Sequence, residues 1–244
     1  MYIIGNNTEI IACDFIDCNA NLSGGAIYVE GHDVTIDHAT FTGNGANLDG
    51  AALYVAGDNC ILSNSTFTDN IAGDDGGAVY WEGDNGTVYN ITCLRNNAVS
   101  MNGHYSNGGT MAIEGSNITI SQAHISQSGA LISGGAIFVT GNFINITDSS
   151  FDRCNVSMTQ DPKSGKTYST GGAAIYVLGD YSNIENCNFS YAQAKHGGIL
   201  YIQGHDVNVT NIIADFSFAS QEGGAIYVEG ANATISDSSF TRCN

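Results

Sequence analysis

The chain has 244 residues, 24 of them acidic and 6 basic, for a formal net charge of −18. So acidic a molecule repels phosphate backbones, which argues against nucleic acid as a partner, and no apolar run approaches the length of a membrane-spanning helix. Charged residues make up only 12%, and 31 glycines stand against a single proline, a composition in which Asn, Ser and Thr supply most of the polar surface.

From its first residues the chain repeats. The octapeptide GGAIYVEG at residues 24–31 returns letter for letter at 223–230, with GAALYVAG, GGAVYWEG, GGTMAIEG, GGAIFVTG, GAAIYVLG and GGILYIQG between. Taking the last glycine of each as position zero, the register falls on Gly5, Gly31, Gly57, Gly83, Gly115, Gly141, Gly179, Gly204 and Gly230. A period near 26 residues marks a solenoid of stacked units rather than one or two ordinary domains.

Within a unit the first signal after the glycine is position +5: Ile10, Ile36, Leu62, Val88, Ile120, Ile146, Ile184, Val209 and Ile235, aliphatic every time. Position +10 follows, Phe in six units (Phe15, Phe41, Phe67, Phe151, Phe189, Phe240). Short stretches alternate apolar and polar, as in Val34-Thr35-Ile36, which is the period of a strand. Three short strands per unit in constant order predict an all-β fold, a right-handed single-stranded parallel β-helix of about nine coils. At ~4.8 Å per coil the rod is on the order of 43 Å long. A single domain is expected over residues 1–244, as a segment of a larger protein or an assembling subunit. Two units are longer, and their extra residues fall at one corner, near 98–107 and 156–170.

Volume exchange identifies the inward columns. Position +8 is small where +10 is Phe (Ala39 with Phe41, Ser65 with Phe67, Ser149 with Phe151), and the order flips for Ile91 with Cys93 and Ile212 with Ala214. A packed interior conserves volume, so both columns point inward. Trp81 at −2 shares its unit with Gly86 and Cys93, as if space had been cleared for it. This places −4 and −2 (Ile27, Val29) inside and −5 and −3 (Ala26, Tyr28) outside.

Position −3 then forms an outward aromatic ladder: Tyr28, Tyr54, Tyr80, Phe138, Tyr176, Tyr201 and Tyr227, with Ala112 as its one gap. It is the candidate binding face, a contiguous aromatic stripe, although stacking alone would also stabilise a sheet. Asn44, Asn70 and Asn96 at +13 read as an amide ladder in a turn. Acids gather near −1 to +2 (Glu30, Asp33, Asp58, Glu82, Asp84, Glu114, Asp180, Asp206, Glu229). They read as a solvated corner, since the glycine-rich nonapeptide calcium signature is missing. The bases lie on the other side of the coil: Arg95, Arg153 and Arg242 at +12, and Lys163, Lys166 and Lys195 in turns.

Cys13, Cys18, Cys60, Cys93, Cys154, Cys187 and Cys243 fall in inward columns with no close pairing, which predicts free buried thiols. The six histidines, His32 and His205 at +1 and His104 and His196 in turns among them, share no ligand spacing. No nucleophile elbow, zinc helix motif or phosphate loop occurs. No catalytic residue, metal site or cofactor is therefore assigned. Sequons begin at Asn6, Asn21, Asn64, Asn85, Asn90, Asn117, Asn145, Asn155, Asn188, Asn208 and Asn232 and are candidate N-glycosylation sites in an exported protein.

With these residues in view, the chain resembles the adhesin-like surface proteins of methanogenic archaea, through GGAVYWEG at 76–83 and CILSNSTFTDN at 60–70. It is more loosely similar to the GGAI repeats of chlamydial polymorphic outer membrane proteins. The resemblance covers essentially the whole chain. It implies a cell-surface or extracellular location, contact with a surface glycan or a cell-surface protein, and a low-oxygen habitat that suits free cysteines. No catalytic residues come with it, and this chain shows no leader, wall anchor or membrane helix of its own.

Three functions compete: an adhesin or stalk module, a subunit of an extracellular filament or sheath, and a polysaccharide lyase or hydrolase on the same fold. The fold alone does not choose among them. Catalysis is the weakest, because glycoside cleavage commonly needs two carboxyls placed across a sugar and the cations lie on a different corner from acid pairs such as Asp58 and Asp84. The chain opens and closes in mid-repeat, which raises the expectation of end-to-end self-association.

Overall fold

A computed structural model describes residues 1–100, 105–157 and 171–244. The two corner insertions lie largely outside these residues, as do Lys163, Lys166 and His104. The architecture is an all-β parallel solenoid of about nine turns, built from three parallel sheets of nine, sixteen and eight strands. Every strand pairs with its counterpart one coil away, Ile36 between Ile10 and Leu62, Phe41 between Phe15 and Phe67.

The three faces follow the expectation of three strands per coil with one refinement. The second sheet receives two segments from most coils, such as Thr35–Asp37 and Thr40–Thr42, and in two coils these run together as Thr87–Leu94 and Thr119–Ser126. The first of the two residues between Asp37 and Thr40, His38, takes a left-handed conformation with φ 52°. That single residue kinks the strand without ending the sheet.

Left-handed residues recur at fixed positions in each coil: +2 (Asn7, Asp33, Asn59), +7 (Ala12, His38, Asn64), +12 (Asp17, Gly43, Asp69) and −7 (Gly24, Gly50, Gly76). Asn, Asp and Gly dominate because the left-handed region costs them least. The octapeptide can now be read letter by letter. Its first glycine makes the left-handed bend. Its last glycine sits so close to the coil below that a Cβ on Gly57 would lie 1.9 Å from the Gly31 carbonyl oxygen.

The third letter corrects the sequence reading. Ala26, expected to face outward, is buried, as are Ala52, Ala78, Ala136 and Ala174 in the same column. Two consecutive N–H groups, those of Ala26 and Ile27, share one acceptor, the Ala52 carbonyl, at 3.1 and 2.9 Å. This bulge-like sharing turns two adjacent side chains inward, so strand parity does not extend back through the bend.

The interior otherwise follows the columns. Leu62, Phe67, Ile91, Cys93 and Ile212 are fully enclosed. Phe15, Phe41 and Phe67 stack at 5.0 and 4.7 Å, and Phe151 with Phe189 at 4.9 Å. Trp81 lies in the space expected for it: a Cβ on Gly86 would meet its ring at 2.5 Å. Stacking is what buries these columns. In the final coil Ile235 and Phe240, 42% and 39% exposed, occupy positions that are closed everywhere inside the rod. All seven cysteines are free; Cys60, Cys93, Cys154 and Cys187 are buried and the other three half-buried.

Truncating a ring in the stack removes contacts to two coils at once. Phe67→Ala is expected to cost about 3–5 kcal/mol in chemical denaturation. Tyr54→Ala, outside the wall, should cost clearly less. Gly57→Ala should be worse than either in proportion to its size, because the obstacle is backbone.

Candidate functional site

In the strand Ile27–Val29 the flanking side chains close the core and Tyr28 stands on the opposite face. The −3 column is therefore outside the coil wall, and parallel register stacks its rings. Tyr28 and Tyr54 lie 4.5 Å apart, Tyr54 and Tyr80 5.0 Å, Tyr176 and Tyr201 4.5 Å, with interplanar angles of 6–14°. Phe138–Tyr176 and Tyr201–Tyr227 are tilted, at 5.6 and 4.8 Å. Ala112, itself buried, separates the two runs.

Outside the wall is not the same as open to solvent. Tyr80, Tyr176 and Tyr201 are buried, and Tyr28, Tyr54, Phe138 and Tyr227 are half-buried. Ring faces are spent on one another, and hydroxyls reach the next coil. Tyr54 donates to Glu82 at 2.8 Å and Tyr176 to Gln203 at 3.0 Å. Glu30 and Glu114 stand beside Tyr2 and Tyr80 in the same register. Burial, then the neighbouring carboxylate, pushes the Tyr54 and Tyr80 phenols well above their ordinary range, so they act as fixed donors.

Where the ladder starts, its flank is open. Tyr2, Tyr28 and Tyr54 form one wall of a groove of about 670 Å³, Leu22 and Leu48 line another part, and Glu30 contributes a carboxylate. Leu22 and Leu48 were not singled out from sequence; they sit in the variable stretch before the double glycine, where no column rule applies.

Behind the groove runs a ladder that the sequence reading missed. Ser23, Asp49, Asp75 and Asn107 occupy equivalent places before the left-handed glycine. The Asp75 N–H donates to Asp49 at 3.1 Å, and the Asn107 N–H donates to Asp75 at 2.7 Å. Burial, opposed by the bond from Asn107 and reinforced by Asp74 and Asp49, pushes Asp75 up to about 7. Asp49 is raised for the same first reason.

The acidic corner resolves into a second ladder. At +1 each side chain accepts the backbone N–H of the next coil: Asn6 from His32, His32 Nδ1 from Asp58, Asp58 from Asp84, Asp84 from Ser116, and Asp180 from His205, all at 2.7–3.0 Å. Accepting at Nδ1 places the His32 proton on Nε2. These carboxylates are occupied in holding coils together, and among the described residues no three His, Cys, Asp or Glu side chains converge as metal ligands. The +13 amides do likewise from inside. Asn44 and Asn70 each donate to the next Asn at 2.9 Å and back to the Phe15 and Phe41 carbonyls at 3.1 Å.

The arginines stand on the corner expected for them, each with a carboxylate: Arg95 with Asp69, Arg153 with Asp152, Arg242 with Asp215. Lys195 and His196, read as turn residues, belong to the strand Gln193–His196. Burial pushes the Cys154 and Cys187 thiols up to about 12, far from the thiolate form that reacts.

The sequons divide. The amide nitrogens of Asn64, Asn90, Asn117, Asn155 and Asn232 donate to Asp37, Asn64, Asn85, the Arg153 carbonyl and Asp206. Asn6, Asn21, Asn85, Asn188 and Asn208 are exposed, as are Asn90, Asn117, Asn155 and Asn232 of the bonded group, and Asn64 and Asn145 are half-buried.

Residues 2–177, more than half of the chain, match the family model described as right handed beta helix region. The chain belongs to that family. No curated protein and no solved structure matches it.

Asp75 supplies a test. Folded, it keeps its proton up to about pH 7, whereas an unfolded aspartate releases it near pH 4. The folded state thus binds the extra proton between those values, and this residue's contribution to stability falls as pH rises through that window. Asp75→Asn keeps the acceptor oxygen and removes the charge. Its melting temperature should match wild type near pH 4 and exceed it at pH 8, by an equivalent of about 2–4 kcal/mol.

Proposed function

We propose that this right-handed β-helix is a non-catalytic binding module, an adhesin or stalk segment working at the cell surface or outside the cell. Its ligand, a surface glycan or a cell-surface protein, lies in the groove beside Tyr2, Tyr28 and Tyr54. The observation that carries this reading is the groove itself. It combines ring edges, the apolar Leu22 and Leu48, and the Glu30 carboxylate, which is the mixture of apolar wall and few polar groups that binding sites use. The polar columns at +1 and +13 are instead engaged coil to coil.

Catalysis by acid pairs finds less support. Asp58 and Asp84, one coil apart at +1, each accept a backbone N–H at 2.8 and 2.7 Å, and their neighbour at the same corner is a histidine that is itself an acceptor. The arginines that could neutralise a substrate's charge are paired at +12 with their own aspartates.

Binding to immobilised cell-envelope polysaccharides and to whole cells tests the proposal. Wild type should bind, and Leu22→Asp and Tyr28→Ala should each weaken binding about tenfold or more with the circular dichroism spectrum unchanged. Leu22 is 68% exposed, so its substitution leaves the core alone. Turnover of any polysaccharide that vanishes in Asp58→Asn would replace this reading with the enzymatic one.

A further inference from the structure

Left-handed positions are filled economically through most of the rod, with Asn64, Asn90, Asn186 and Asn211 at +7 as examples. Aromatic rings depart from this in two pairs on neighbouring coils, Phe143 with Tyr181 at +2 and Tyr191 with Phe216 at +12, and Arg or Gln fills +12 in several other coils. Tyr191 and Phe216 hold φ values of 52° and 56°, where a bulky side chain is a backbone outlier. Burial does not compensate them, since they are 49% and 38% exposed. Their rings stack at 5.0 Å and 6°, and a guanidinium closes each end. Arg153 lies 5.2 Å from the Tyr191 ring centre and Arg242 3.6 Å from that of Phe216. On the two sides of the same corner stand Ile213, 57% exposed, and Phe218, 44% exposed.

Charge sets this strip apart. Arg153 is paired with Asp152 and Arg242 with Asp215, so its four charges cancel on a chain of net charge −18. It gathers exposed apolar side chains at one corner between two balanced ion pairs.

We infer that this strip is the surface through which two copies of the chain pair side by side. Exposed aliphatics beside Tyr, Phe and Arg are the composition of a protein interface core, and patches of this kind mark association sites. A second copy fits for an electrostatic reason: two strongly acidic rods repel wherever their acidic faces meet, and this strip removes that obstacle. A two-fold axis across the rod presents the strip to itself. Because Asp152 and Arg153 lie at one end and Asp215 and Arg242 at the other, an antiparallel pair sets Arg153 against the partner's Asp215 and Arg242 against the partner's Asp152. Each ion pair then gains a second counterpart instead of losing its first. The groove beside Tyr28 belongs to the first coils and the strip to the last, so the two sites are separable.

Sedimentation velocity across a concentration series tests the pairing. Wild type should show a reversible monomer–dimer equilibrium that stops at two copies. Tyr191→Asn with Phe216→Asn installs the residue that other coils carry at left-handed positions. It should keep or raise the melting temperature while weakening the dimer at least tenfold. Arg242→Glu, an exposed change that turns the balanced strip acidic, should give a monomer. The proposal is overturned by a wild-type monomer up to the solubility limit, which would leave the strip to a different occupant. A dimer of unchanged affinity in both variants, or an open-ended series of larger species, would overturn it as well.

Discussion

The whole molecule depends on one geometric demand: backbone hydrogen bonds run along the rod, from each residue to its counterpart a coil away. The Thr35 N–H reaches the Thr8 carbonyl at 2.9 Å, and the Ile61 N–H reaches Val34 at 2.8 Å. A coil that bent in a different place would leave a ring of unpaired peptide groups above and below it, each costly once buried. Every coil must therefore make the same bends at the same positions, and left-handed residues recur at +2, +7, +12 and −7. Units of 32 and 38 residues are tolerated because their excess enters between fixed points, and the register resumes at Gly108 and Gly172.

Vertical register makes columns of side chains, and identical side chains in a column satisfy one another. Phenylalanine stacks inside, tyrosine stacks outside, and Asn at +13 passes an amide bond from coil to coil. Acids and histidines at +1 cap the next coil's N–H. These ladders explain the low charge content beside the many polar residues: the polarity is structural. The columns are broken or overdressed in few places, among them Leu22 and Leu48 beside the tyrosines and Tyr191 and Phe216 on the far coils.

The distribution of acids follows from the same rule. A carboxylate at +1 accepts an N–H of the next coil at the rod surface. At Asp49 and Asp75 the same ladder bond is made under cover of the segment before the double glycine, and burial outweighs it. Asp37 shows the opposite balance. Bonds from Ser63, Asn64 and His38 hold its carboxyl down to about 2.

The period, the nine-fold succession of coils, the inward columns +5, +8 and +10 and the pocket for Trp81 could all be read from the letters. Each is a one-dimensional regularity that stacking converts directly into position. Volume exchange between Phe67 and Ser65, or Cys93 and Ile91, lies between the bends at +7 and +12, so it survives as a pattern along the chain. Tertiary structure alone decided what covers what. Ala26 turned inward because two N–H groups share the Ala52 carbonyl, a choice made by the neighbouring coil. The tyrosine ladder kept its place outside the wall yet lost most of its exposure, because its rings stack on one another from coil to coil. Asp75 became a raised acid through burial beside Asp74 and Asp49. The stack of Arg153, Tyr191, Phe216 and Arg242 joins residues on successive coils separated by unequal stretches of chain. Periodicity records how a coil repeats; burial depends on what approaches from the side, and for that the repeat carries no signal.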